Sequence, residues 1–131
     1  MTGDKTILVV EDQADIRKLI RMTMEMVDRV VHEADNGEEG LRLVRGLRPD
    51  LVLLDVMMPG SLDGYQVCQF IKQDPALREI KVVMLTARGQ QADFEMGRQA
   101  GADAYLTKPF SPLELIDTVD GLLAKQSRHV A

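Results

Sequence analysis

The sequence predicts a single α/β domain built around a buried parallel sheet. Three observations carry that expectation. Short apolar runs at Ile7-Leu8-Val9-Val10, Leu51-Val52-Leu53-Leu54 and Val82-Val83-Met84-Leu85 lack the polar alternation of a half-solvated strand, as expected of strands that helices cover on both faces. Segments of helical period separate them, without internal repeats, which is the alternation of βα units. Each run also ends on a reactive group: Glu11-Asp12, Asp55 and Thr86, with Ala104-Tyr105-Leu106-Thr107 leading to Lys108 in the same way. Ligands of open α/β sheets bind beyond the carboxyl ends of the strands. Three carboxylates, a hydroxyl and an ammonium are expected to meet there.

The elements follow in order. After the first strand, Ile16, Leu19, Ile20, Met24 and Val27 form one apolar stripe at helical spacing, flanked by Met22 and Met26 as packing residues, with Arg17, Lys18, Arg21 and Glu25 left for solvent. The second strand, Val30 to Ala34, is more polar, and His32 and Glu33 place it at a sheet edge. Asn36 is positioned to cap a second helix running to about Leu47, where Arg48-Pro49 breaks it before the strand that carries Asp55. A loop from Met57 to Asp63 leads into a third helix, roughly Gly64 to Asp74, that stops at Asp74-Pro75. A fourth, near Gln90 to Ala100, ends on Gly101 as a left-handed cap. Ser111-Pro112-Leu113-Glu114 then sets out an N-cap, a first-turn proline and a capping-box glutamate ahead of Leu115, Ile116, Val119, Leu122 and Leu123. The domain core is expected over about 5–125, with a short tail at 126–131.

Composition narrows the function. A net charge of −5 and a pI near 5.0 disfavour direct nucleic-acid binding, which depends on surplus Lys and Arg. No apolar run approaches the roughly 18 residues of a membrane span, and Met1-Thr2-Gly3-Asp4-Lys5 has no signal-peptide pattern. Cys68 has no second cysteine to pair with. The expected setting is a reducing cytoplasm, with Cys68 as a packing residue. His32 and His129 have no partners at metal-ligand spacing.

If the first and third strands are neighbours, about 4.8 Å apart, Glu11, Asp12 and Asp55 crowd together. Two such charges repel by about 4 kcal/mol at 4 Å and an effective dielectric near 20. A counter-cation is therefore expected, and Mg²⁺ suits an all-oxygen site of a few carboxylates, waters and a phosphate oxygen. Lys108 supplies further positive charge. A carboxylate beside cations suits attack on phosphorus; Asp55 is the candidate nucleophile, Thr86 the hydroxyl donor to a phosphoryl oxygen, and small Ala87 leaves room beside it. Singly, each residue has a plainer reading as a helix cap, a solvated charge or a turn residue. Four strand ends carrying complementary groups are harder to explain that way.

Over nearly its whole length the chain resembles the response-regulator receiver domains of two-component signalling. The resemblance rests on Ile7-Leu8-Val9-Val10-Glu11-Asp12, Asp55-Val56-Met57-Met58-Pro59 with Asp63-Gly64, Thr86-Ala87, Gly101-Ala102-Asp103-Ala104-Tyr105 and Lys108-Pro109-Phe110. It implies a doubly wound, flavodoxin-like sheet of five parallel strands in order 2-1-3-4-5, the order of chemotaxis receivers. It also implies a cis Lys108-Pro109 bond. Asp55 would be the phosphoacceptor, Glu11 and Asp12 the acidic pair for Mg²⁺, the Met57 backbone carbonyl a further metal ligand, and Thr86, Lys108 and Tyr105 the switch residues.

Such a domain is not a conventional enzyme but catalyses its own Mg²⁺-dependent phosphorylation and dephosphorylation. It takes its phosphoryl group from a histidine kinase or histidine phosphotransfer protein and signals through the face of its fourth helix, fifth strand and fifth helix. Met57 and Arg88, each two residues past a site group, are expected to flank the phosphoryl and tune attack by water. The output is a downstream protein partner or an output domain that does not follow in this chain, and the expected state is a monomer or weak dimer. Two departures from the family pattern stand out. Gly60-Ser61-Leu62 separates Pro59 from Asp63 by one residue more than the commonest spacing, which is expected to displace that loop. Ala104 stands where transcription-factor receivers with a shared dimer face often carry a second Asp. Rival readings fit less well: an aspartyl-phosphate hydrolase lacks its second acid because Met57 holds that position, and a mononucleotide binder would set its phosphate against Glu11-Asp12. A receiver used purely as an interaction surface would have no use for the intact acceptor, acidic pair and Lys108.

Overall fold

Strand and helix alternate through β1 (Thr6–Val10), α1 (Ala14–Glu25), β2 (Val30–Ala34), α2 (Gly37–Leu47), β3 (Leu51–Asp55), α3 (Gly64–Gln73), β4 (Lys81–Thr86), α4 (Gln91–Ala100), β5 (Ala104–Thr107) and α5 (Pro112–Ser127). The computed structural model describes residues 5–87 and 91–127, and for 91–94 and 125–127 the backbone alone. The strands pair in parallel in the order β2-β1-β3-β4-β5. The apolar runs are therefore the three central strands, and the polar Val30–Ala34 segment is an edge, as its composition indicates.

Alternation along each strand divides the core. Leu8, Val10, Val52, Leu54, Val82 and Met84 face α2 and α3 through Leu41, Val44, Val67, Cys68 and Ile71. Ile7, Val9, Leu51, Leu53, Val83 and Leu85 face α1 and α5 through Ile20, Met24, Leu115, Val119 and Leu122. The two halves of the chain diverge at β1 and β3, and the register that sets Val10 against Leu54 brings the next residues, Glu11 and Asp55, side by side at the carboxyl edge.

Several local expectations are met by the chemistry that motivated them. The Asn36 side chain accepts from Glu39 N at 2.8 Å. Ser111 and Glu114 form a capping box, with bonds of 3.0 and 2.8 Å. Gly101 has φ +96° and the Lys108-Pro109 bond is cis. Arg48 closes α2 in the left-handed region, its N–H on Val44 O. Cys68 is fully buried and donates to Ala100 O at 3.5 Å, and burial pushes its thiol up to about 12. It is inert packing.

Helix α1 departs from the expected stripe. Leu19 is 42% exposed and Thr23 is 4% exposed. At about 100° per residue, Ile16, Ile20, Thr23, Met24 and Val27 share one arc and Leu19 lies roughly 80° from its centre, so position outweighs hydrophobicity. The Thr23 hydroxyl is satisfied by Leu19 O at 2.8 Å. Met22 and Met26 are on the solvent side, 52% and 80% exposed, and are not packing residues. Helix α1 stops at Glu25, two residues short of Val27, with Asp28 at φ +62°. Helix α5 extends to Ser127, so residues 126 and 127 continue the helix and are not tail.

Candidate functional site

At the carboxyl edge the sheet delivers its chemistry from three strands. Glu11 follows β1, Asp55 ends β3 and Thr86 ends β4; their exposures are 0%, 4% and 3%. Asp12 is exposed at the rim. Carboxylate oxygens of Glu11, Asp12 and Asp55 lie within 4.8 Å of one another. Lys108, just past β5, reaches back so that Nζ lies 2.7 Å from Glu11 Oε1 and 3.2 Å from Asp55 Oδ1. Four of the five groups expected from strand ends are thus together, with Asp12 on the solvent side and Glu11 beneath, and Thr86 ends the adjacent strand β4.

The electrostatics follow from that crowding. Burial pushes the Asp55 carboxyl up from 3.8 to about 7, the Asp12 and Glu11 carboxylates add to the rise, and Lys108 opposes it. Burial also works to lower the Lys108 ammonium, but its contacts with Glu11 and Asp55 outweigh this and hold it above its ordinary 10.5. Among the described residues, one lysine therefore faces three acids. Glu11 Oε2 accepts from Gln13 N at 3.2 Å, while among the described residues the buried Glu11 Oε1 has no aligned hydrogen-bond donor beyond the ion-pair approach of Lys108. A buried carboxylate oxygen short of donors, in an all-oxygen set beside an exposed acid, fits a hard divalent cation.

The loops are fixed at this edge by close backbone approaches. Met57 N donates to Asp55 Oδ1 at 3.3 Å. Val56 N bonds Leu85 O and Gly64 N bonds Val56 O. A Cβ on Gly64 would collide with the Asp55 carbonyl, so glycine is required where α3 starts against the end of β3. Asp63 caps α3 in a capping box with Gln66, which Asp63-x-x-Gln66 spells out and the sequence reading missed. Lys108 N bonds Thr86 O at 2.7 Å, tying two site residues through their main chains.

Two clefts border the acids. One, of about 450 Å³, lies between Val56, Met57, Asp63, Tyr65, Thr86, Ala87 and Met96. The other, about 380 Å³, is lined by Gln13, Ile16, Leu19, Ala87, Lys108, Pro109 and Phe110, which accounts for the exposed Leu19. Met57 is 74% exposed at the mouth of the site. Tyr105 is half-buried, with its ring against α4 where a Cβ on Gly97 would collide. Arg88 lies outside the described residues.

Comparison with known proteins places these features in a family. The model described as "Response regulator receiver domain" matches residues 7–120. The "Transcriptional regulatory protein ResD" of Bacillus subtilis is 42% identical over 97% of this chain and 51% of its own length. The chain spans about half the length of the curated relatives it matches. Among solved structures, a putative response regulator from Chloroflexus aurantiacus superposes with a TM-score of 0.89 at 34% identity, covering 93% of this chain and 99% of that one. The chemotaxis response regulator CheY4 of Vibrio cholerae gives 0.86 at 26% identity, covering 92% and 99%.

Proposed function

The chain belongs to the response-regulator receiver family, and from that premise we propose that Asp55 accepts a phosphoryl group from a phosphohistidine donor and that Thr86, Lys108 and Tyr105 convert the added charge into a changed surface. The observation that carries this reading is the Asp55 carboxylate held against one lysine and two further acids at the sheet's switch point.

Glu11, Asp12, Asp55 and the Met57 carbonyl are the residues that would hold Mg²⁺. Bound there, the ion would offset the acids' mutual repulsion and draw charge from phosphoryl oxygens. In the transfer itself an Asp55 carboxylate oxygen forms a bond to phosphorus as the phosphorus–nitrogen bond of the donor breaks. The electron pair of that bond returns to the imidazole nitrogen, which takes a proton from solvent. Lys108 then sits within reach of the phosphoryl oxygens, and Thr86 supplies a hydroxyl to them. In a separate step water attacks phosphorus, the phosphorus–oxygen bond to Asp55 breaks, and phosphate leaves as the carboxylate is restored; exposed Met57 is placed to influence this step, and Arg88 is proposed to act beside it.

Asp55 is only 4% exposed, so a protein donor must seat on the rim. The apolar cleft of Ile16, Leu19, Pro109 and Phe110 beside Lys108 supports a histidine kinase or phosphotransfer protein as that donor. A phosphoryl group brings about −1.5 to −2 charge, which attracts Thr86 and Lys108. Tyr105, three residues before Lys108 and seated on α4, is the group through which we expect α4, β5 and α5 to report the change to a downstream protein or output domain.

Intact-mass spectrometry after incubation with acetyl phosphate and Mg²⁺ tests the reading. Wild type should gain one phosphoryl mass and Asp55→Asn none, and Asp12→Ala should need more Mg²⁺. Equal labelling of wild type and Asp55→Asn would remove Asp55 from the role.

A further inference from the structure

The extra residue between Pro59 and Asp63 does not hang free. Gly60 has φ +102°, a conformation open to glycine and strained for other residues. That turn brings Ser61 over the first turn of α2, where its N–H donates to Glu38 Oε2 at 3.0 Å and its hydroxyl donates to the same oxygen. The Glu38 carboxylate also lies against Gly60, where a Cβ would meet Oε1 at 3.0 Å. Next along the chain, Leu62 packs on α2 so closely that a Cβ on Gly37 would approach its carbonyl to 2.6 Å. After that, Gly64 closes the loop on Val56 O at 3.0 Å. Met57, Met58 and Pro59 are thus strung between two fixed ends: Asp55 and Val56 on one side, Ser61 bound by Glu38 on the other.

We infer that Glu38 is a positioning residue for the metal and phosphoryl site, holding the lengthened loop through Ser61 so that the main chain of Met57 faces Asp55. The inference rests on the Mg²⁺ reading given above. The geometry is economical: Glu38 is surface-exposed and contributes nothing to the core, and its Ser61 hydrogen bonds hold its carboxyl below the ordinary 4.5, so it is ionised and a strong acceptor at neutral pH. Its role is as an acceptor. The negative charge itself is not what the loop needs, so an amide oxygen at the same place should serve for the most part.

The test uses the whole chain with Mg²⁺ alone as the probe. Mg²⁺ is titrated into metal-free wild type, Glu38→Ala, Glu38→Gln, Ser61→Ala and, as a control, Asp12→Ala. Backbone amide NMR follows Met57 and Gly64, and urea unfolding of the metal-free proteins checks that each is folded. Glu38→Ala should weaken Mg²⁺ binding about three- to tenfold and shift the Met57 and Gly64 amides before any metal is added, with Glu38→Gln restoring most of both. Ser61→Ala keeps its N–H bond and should fall between. Wild-type Mg²⁺ affinity and unmoved amides in Glu38→Ala, with Asp12→Ala impaired, would overturn the positioning role while leaving the metal site standing. Absence of Mg²⁺ binding by wild type would overturn the metal site, and this inference with it. Glu38→Gln behaving like Glu38→Ala would also overturn it, by showing that charge, not the hydrogen bond to the loop, is what matters.

Discussion

Replacing Asp55 by Asn should make the metal-free protein more stable, and by an amount that depends on pH in a calculable way. In the unfolded chain this carboxyl loses its proton near 3.8, and in the folded protein near 7. Between those values the folded state holds a proton that the unfolded state has released, so the contribution of Asp55 to stability falls as pH rises across the window and levels off above it. At 1.36 kcal/mol per decade the full penalty is about 4 kcal/mol. Asn at this site cannot ionise. It gives up the 3.2 Å contact with Lys108, but the rise to about 7 already includes the attraction of Lys108, so a gain of about 2–4 kcal/mol at about pH 8 is expected. Near pH 4 the two proteins should agree to within about 0.5 kcal/mol.

Glu33, Glu38 and Glu39, whose carboxyls are held below 4.5, oppose the trend at the acid end of this window and below it, and they cancel in the comparison. Urea unfolding of both proteins in EDTA, followed by circular dichroism across that pH range, measures the difference directly. A difference that stays constant from about pH 4 to about pH 8 would refute the electrostatic account of the site.

Met57→Asn should change the lifetime of the aspartyl phosphate, with faster hydrolysis expected because an amide at the exposed mouth of the site can orient a water where a thioether cannot; loss of label with time by intact mass gives the rate, and an unchanged rate would free Met57 of that role. Gly97→Ala should dislodge the Tyr105 ring, since the added Cβ collides with it. In NMR of the beryllofluoride complex, wild type should show changes at Thr86, Tyr105 and along α4, and the variant should lose the change at Tyr105 while keeping that at Thr86. No response at Tyr105 in wild type would show that Asp55 is not coupled to β5.

The central strands were legible because Ile7–Val10, Leu51–Leu54 and Val82–Leu85 carry no polar residue, and burial on both faces is the condition that permits this. Their order was not in that pattern. Five strands can be arranged in several ways, and order 2-1-3-4-5 entered through resemblance. Helix faces were less legible wherever residue type and angular position disagreed, as at Leu19 and Thr23. The site's members were legible at strand ends, but not their inequality: Glu11-Asp12 reads as a matched pair, whereas the structure buries one completely and leaves the other at the rim. Tertiary hydrogen bonds left no local trace. Glu38 binds a loop 23 residues away, and Lys72, which reads as a solvated helix charge, bonds Arg78 O, Ile80 O and Asp103. No periodicity marks such partners, because a polar side chain that bonds a main-chain oxygen or a carboxylate elsewhere in the chain adds nothing to an apolar pattern.

The backbone around Asp55 explains why the crowding cannot relax. β3 is hydrogen-bonded between β1 and β4, Val56 N is held by Leu85 O, and Gly64 lies directly on the Asp55 carbonyl. A side chain on so fixed a main chain cannot move away from Glu11. Its repulsion must instead be met by a proton, by Lys108 or by a bound cation. The same rigidity gives the switch residues their leverage in the proposed cycle. Lys108 N is bonded to Thr86 O, and β4 and β5 stay in register from Val83–Ala104 to Thr86–Thr107. A new charge on Asp55 therefore pulls on two side chains whose main chains already share a hydrogen bond, while Asp55 itself stays in place. What can yield lies on the outer side of that pair, where Tyr105 rests on α4 at a glycine, away from the strand that carries the charge.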